Sequence, residues 1–277
     1  MQKFRAHSFV GLCIFFSILS GCAADSLAGN LQTITSLSDL EGTAFKNKTR
    51  KEVLNSFSEY PISKKASIGA ITQASHISSN RSGSESLYAL NSLEFFNRYK
   101  LLSYDKIGVT MHNSYKPSIF SIYNENKYLA LMPRQDDYEL RFLIAYNMKD
   151  RLVNTVVHND QPYFSRLEFA YRKKFSNPFD QMRFALLAGV KINKNFSFLL
   201  QDNIDWNVRS KATATDNSYS NLGDFRSSKD ANNMATFSLM YHFKNDMALQ
   251  FGYVRRLHGN NPFYDNQGVV VGLWNSF

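Results

Sequence analysis

From about residue 86 onward the chain alternates apolar and polar residues in long blocks, and that alternation limits the folds open to it. In "DYELRFLIAYNM", Tyr138, Leu140, Phe142, Ile144, Tyr146 and Met148 fall on one face, and Glu139, Arg141 and Asn147 on the other. Period two is the signature of an extended strand with unlike faces. "QMRFALLAGVKI" repeats it, with Met182, Phe184, Leu186, Ala188, Val190 and Ile192 against Gln181, Arg183 and Lys191. "FSFLLQDNIDWNV" sets Phe196, Phe198, Leu200, Ile204, Trp206 and Val208 against Gln201, Asn203, Asp205 and Asn207. Phe237, Leu239, Tyr241, Phe243, Leu249, Phe251 and Tyr253 continue the pattern.

These segments are longer than the usual globular strand of about 5–6 residues. They suit a tilted strand crossing a bilayer, which takes roughly 9–11 residues. The connections alternate as well. The short turns at 193–195 and 244–246 flank a long polar stretch at 209–232. Transmembrane barrels keep short turns on the periplasmic side and longer loops outside. The fold class expected is therefore all-β: an antiparallel transmembrane barrel of ten to twelve strands. The segments fall near 86–98, 105–116, 127–133, 137–148, 151–158, 163–174, 181–192, 196–208, 233–243, 247–257 and 267–277. A segment at 119–124 or 66–77 would complete twelve.

The first residues read as a separate unit. "MQKFRAHSFVGLCIFFSILSGCAADSLAG" has a basic start, an apolar run from Phe9 to Leu19, and then small residues, the order of a secretory signal. Residues 1–24 are expected to be a signal peptide. Cleavage after Ala24 or Ala28 competes with a lipobox reading of "LSGC", which would leave Cys22 lipid-modified. Both cysteines, Cys13 and Cys22, lie in this segment, so the mature barrel is expected to hold no disulfide. Residues 25–84 are polar and poorly patterned, and read as a periplasmic extension or lumen plug. Within them Val53, Phe57 and Tyr60 stand at helical spacing. The barrel is assigned to 85–277.

The segment "GVVVGLWNSF" places Val269, Val271, Leu273 and Phe277 on one apolar face. It resembles the C-terminal assembly signal of Gram-negative outer-membrane barrels. With "YFSRLEFAYRKKF", "FSFLLQDNIDW" and the "GYVRR" strand, the chain looks like a family of uncharacterised outer-membrane barrels. The resemblance implies a location in the outer membrane, with lipid and the barrel-assembly machinery as partners. The formal charge of +9 raises nucleic-acid binding, but the basic residues are scattered with "KNKTRK" the only dense cluster, and no nucleic-acid partner is expected. No metal-ligand spacing and no phosphate-binding glycine loop is present, so no cofactor is expected.

Two constellations are candidates for function. Alternation turns Arg98, Arg141, Arg166, Arg172, Arg183, Lys191 and Arg256 inward, along with Glu94, Glu139, Glu168 and Asp205. Such a lining either favours anions, as rings of Arg and Lys do, or pairs across the lumen and fills it. The first outcome makes the protein a narrow, anion-leaning pore; the second makes it a structural envelope barrel. The other constellation is His112 and Ser114 followed by Asn126, a His-x-Ser…Asn spacing that resembles outer-membrane phospholipase A. The resemblance implies Ser114 as nucleophile, His112 as base and Asn126 as the group that orients the imidazole. Alternation turns His112 and Ser114 into the lumen, where they also serve simply as polar lining. The loop at 209–232 suggests a third function, adhesion at the cell surface.

Overall fold

The computed structural model describes residues 32–44, 47–79, 86–117, 136–147, 162–175, 179–209, 231–243, 247–258 and 267–276. Among them run twelve strands: β1 (Gln32–Ala44), β2 (Asn47–Pro61), β3 (Ala66–Ser79), β4 (Ser86–Tyr104), β5 (Ile107–Lys116), β6 (Asp137–Tyr146), β7 (Tyr163–Lys174), β8 (Phe179–Lys191), β9 (Phe196–Arg209), β10 (Ala231–His242), β11 (Met247–His258) and β12 (Gln267–Ser276). Each pairs antiparallel with its sequence neighbours, and β1 pairs with β12, from Gln32 opposite Ser276 to Glu41 opposite Gln267. Closure removes the open edges that a bilayer would leave without hydrogen-bond partners.

The strand count agrees with the upper expectation, and the segment offered at 66–77 is β3, but the rest of the N-terminal membership differs. Residues 32–79, within the stretch read as an extension or plug, form three strands of the wall itself. Val53 and Phe57 are inward residues of β2, not a helical stripe: a spacing of four satisfies a strand as readily as a helix. The expected strands at 119–124, 127–133 and 151–158, the signal at 1–24, Asn126 and Phe277 lie outside the described residues.

Outward faces carry the large apolar residues from β4 to β12. Phe95, Phe142, Ile144, Phe169, Val190, Phe198, Leu239, Phe251, Val269 and Val271 are all exposed. A soluble protein seldom shows so continuous an apolar surface; in a bilayer it is the lipid-facing band. Aromatic rings gather at one end of the strands, where Tyr146 stacks on Tyr163 at 6.3 Å and Tyr241 meets Phe243 at 4.8 Å. Tyr115, Tyr138, Tyr171 and Trp206 are exposed toward the other end. The first end bears the turns at 62–65, 105–106 and 193–195, and is here the turn end; the opposite one is the loop end.

Two close approaches shape the inside. Phe164 stands directly opposite Gly189, and Phe96 opposite Gly69. A Cβ on either glycine would collide with the ring lying over it. Only glycine lets these rings lie flat against the neighbouring strand, within the lumen.

Candidate functional site: the barrel lumen

The register brings the inward arginines of β6, β7 and β8 around one carboxylate. Glu139 on β6 lies opposite Arg172 on β7, while Arg183 on β8 lies opposite Ala170 and Asp205. Glu139 Oε2 accepts from Arg172 Nε at 2.8 Å and from Arg183 Nη1 at 3.0 Å. Its Oε1 accepts from Arg141 Nε at 2.8 Å and from Nη2 of the same residue. Arg141 Nη1 in turn donates to Glu168 at 2.7 Å, and Glu168 pairs with Arg166 at 2.6 Å. Arg183 Nε donates to Asp205 on β9 at 2.7 Å. Alternating signs along neighbouring strands make one network over four strands. Such a network is favourable only because nearly every charge finds an opposite partner in a low-dielectric interior.

A second knot ties the other side of the charged wall. Arg98 on β4 donates from Nη1 to Glu59 on β2 at 2.6 Å and from Nε to Nδ1 of His112 on β5 at 3.0 Å. Ser67 on β3 completes it through a short hydrogen bond to Glu59. The Arg98 guanidinium lies 5.3 Å and 5.1 Å from the ring centres of Phe57 and Phe96, and His112 stacks on Phe96 at 4.9 Å. Four strands are thus held through one buried cation.

Toward the turn end, from β7 round to β12 and β1, the lining is different. At the turn end Phe164, Leu187, Leu199, Met240, Ala248 and Trp274 form an apolar core against Ile34, inside the barrel. Leu199, Met240 and Ala248 are fully buried. Trp274 satisfies its indole N–H on Gln250 Oε1 at 2.9 Å, and Gln250 donates onward to Ser238 at 2.8 Å. The lumen therefore holds an apolar core at the turn end. It opens to solvent toward the loop end, where the side chains of Arg183 and Asp205 are 29% and 31% exposed above a Glu139 that is only 1% exposed.

Seven of the expected lining residues share the network around Glu139, namely Glu139, Arg141, Arg166, Glu168, Arg172, Arg183 and Asp205, and Arg98 is the centre of the second knot. Lys191 stands apart at the turn end opposite Ser197, and Arg256 near the loop end of β11 opposite Met234. His112 and Ser114 point inward from β5, opposite Arg141 and Glu139. No hydrogen bond joins them. Nδ1 of His112, the atom an orienting asparagine would address, is occupied as an acceptor by Arg98. The ring proton then sits on Nε2, the nitrogen that a general base needs free. Glu59 was missed in the sequence because it lies in the stretch read as an extension; the inward run Val53, Asn55, Phe57, Glu59 was the signal available. The outward pair of Arg50 and Asp39, at 2.6 Å near the loop end of β1 and β2, was missed for the same reason.

No family model and no curated protein sequence matches the chain. Solved structures do. An outer membrane channel from Pseudomonas putida F1 superposes with a TM-score of 0.61 at 11% identity, covering 92% of this chain and 97% of that one. The beta domain of the Bordetella autotransporter BrkA superposes with a TM-score of 0.50 at 8% identity, covering 91% of this chain and all (100%) of the other. The fold is the outer-membrane β-barrel.

Proposed function

We propose that the protein is a narrow outer-membrane channel with a preference for anions. One observation carries this reading: the loop-end lumen is lined by arginines that solvent reaches, above a charged wall in which Arg98, Arg141, Arg166, Arg172 and Arg183 face Glu59, Glu94, Glu139, Glu168 and Asp205. Among the described residues Lys51, Lys116, Lys174, Lys191 and Arg256 also face inward, with one further inward carboxylate, Asp137, so cations outnumber acids along the lining. A low-dielectric wall focuses that excess onto passing ions. The similarity to the Pseudomonas channel supports the reading, since that protein conducts by its description and shares the barrel over nearly its whole length.

The apolar core at the turn end sets the state of the channel. Ions shed water reluctantly, so a lumen narrowed by Leu199, Met240 and Trp274 conducts most readily when that core yields. Low conductance with brief openings follows. Residues 1–24 serve as the export signal, and lipid together with the barrel-assembly machinery are the partners. The test is single-channel recording of the refolded protein in a planar bilayer under a salt gradient. A reversal potential on the anion side supports the reading. A folded barrel that never conducts at any voltage overturns it in favour of a structural envelope barrel.

A further inference from the structure

Among the described residues, Arg172 and Arg183 leave three terminal nitrogens without a hydrogen bond in the loop-end half of the lumen. Arg172 and Arg183 share a single acceptor, Glu139 Oε2, which places their guanidinium groups side by side. Arg172 uses only Nε for that bond. Its Nη1 and Nη2 stand 3.9 Å from Asp137 and 3.7 Å from Glu94, close enough for charge attraction and too far for a hydrogen bond. Arg183 uses Nη1 on Glu139 and Nε on Asp205, which leaves Nη2.

We propose that these nitrogens form a binding site for a carboxylate anion, seated between Nη2 of Arg183 and the terminal nitrogens of Arg172. A guanidinium presents paired N–H groups at the spacing of two carboxylate oxygens, which a chloride ion cannot match. Glu139 is buried and holds both arginines in place without being displaced. Asp205 is different: it is the most exposed acid of the network and grips Arg183 through Nε alone. An incoming carboxylate takes the Nε and Nη2 edge of Arg183 as Asp205 swings into water. Asp205 is the competitor that keeps the site weak, and Glu94 and Asp137 beside Arg172 act in the same sense. Weak, exchangeable binding is what passage through a lumen requires.

The site rests on the channel reading only in that solutes must enter from the loop end, and its test reads binding rather than current. The folded full chain in detergent is heated in succinate or in sodium chloride at matched ionic strength. The expected result is a saturable rise in Tm with succinate beyond that in chloride. Arg183→Gln should weaken the apparent affinity by roughly tenfold, the loss of one charge-assisted pair. Asp205→Asn should tighten it several-fold, and this variant keeps every arginine in place should Arg183→Gln fold poorly. Equal Tm values in the two salts overturn the site, as does an Asp205→Asn variant that binds no better than wild type. A barrel that binds succinate but passes no current removes the channel and keeps the site; a conducting barrel blind to succinate does the reverse.

Discussion

The Nε–H of Arg98 points at Nδ1 of His112 across 3.0 Å. The imidazole is thereby committed to structure: one nitrogen accepts from a buried cation, and one face stacks on Phe96. His112→Ala removes both contacts and strands a guanidinium N–H in a site sealed from water. The loss expected is about 2–4 kcal/mol, from the unsatisfied donor and the lost ring contact. Ser114→Ala, which breaks no hydrogen bond, should stay within about 1 kcal/mol. Thermal unfolding in detergent separates the two. Fatty-acid release from phospholipid by the wild type, abolished in Ser114→Ala, would instead reinstate the hydrolase.

Glu139 is the keystone of the charged wall, since Arg141, Arg172 and Arg183 all donate to it. Replacing it by Gln leaves three guanidinium groups to share Glu168, Asp205 and two distant carboxylates. Breaking a buried pair from one side costs about 3–5 kcal/mol. Adding Arg183→Gln removes one of the stranded cations, so the double variant should be more stable than the sum of the two single losses predicts. Strict additivity in denaturant melts would show that the two residues do not act as one unit.

The apolar core at the turn end gives a prediction on transport. Met240 and Leu199 are fully buried there, and each truncation to Ala should cost about 2–5 kcal/mol of stability while opening a cavity in the lumen. If ions pass this level, Met240→Ala raises single-channel conductance and lengthens openings. Unchanged conductance in a variant that still folds would place the conduction path elsewhere.

Parity made the charged wall legible. Along β6 to β9, bulky apolar residues alternate with Arg, Glu and Asp, so each inward arginine could be named from its position alone. Which carboxylate it meets could not be read, because partner choice depends on register across two or three strands and on the reach of a long side chain. That Arg172 and Arg183 would converge on Glu139 rather than on Glu168 is of this kind. The strands β1 to β3 were illegible for a chemical reason. Their outward positions hold Thr33, Thr35, Ser56, Ser58, Ala70 and Thr72, while Ile34, Val53 and Phe57 lie inside. Faces so alike in polarity leave only a faint alternation, although the backbone pairs as fully as elsewhere. Asp202 shows the converse, a carboxylate on the lipid side of β9 level with Ala235 and Leu186, where alternation alone leads one to expect an apolar residue.

The last prediction tests whether residues 32–79 are wall or appendage. Their deletion leaves β4 and β12 as free edges. Each ladder is antiparallel, and β1 to β3 separate β4 from β12 by an odd number of strands, so β4 and β12 run in the same direction. They cannot close the gap with the antiparallel ladder used everywhere else in the barrel, and unpaired edge groups in lipid cost several kcal/mol each. The shortened chain should fail to refold into detergent, showing neither strand circular dichroism with a cooperative melt nor protease resistance. A protease-resistant barrel from residues 85–277 alone would mean that nine strands suffice. It would return β1 to β3 to the role of a dispensable extension.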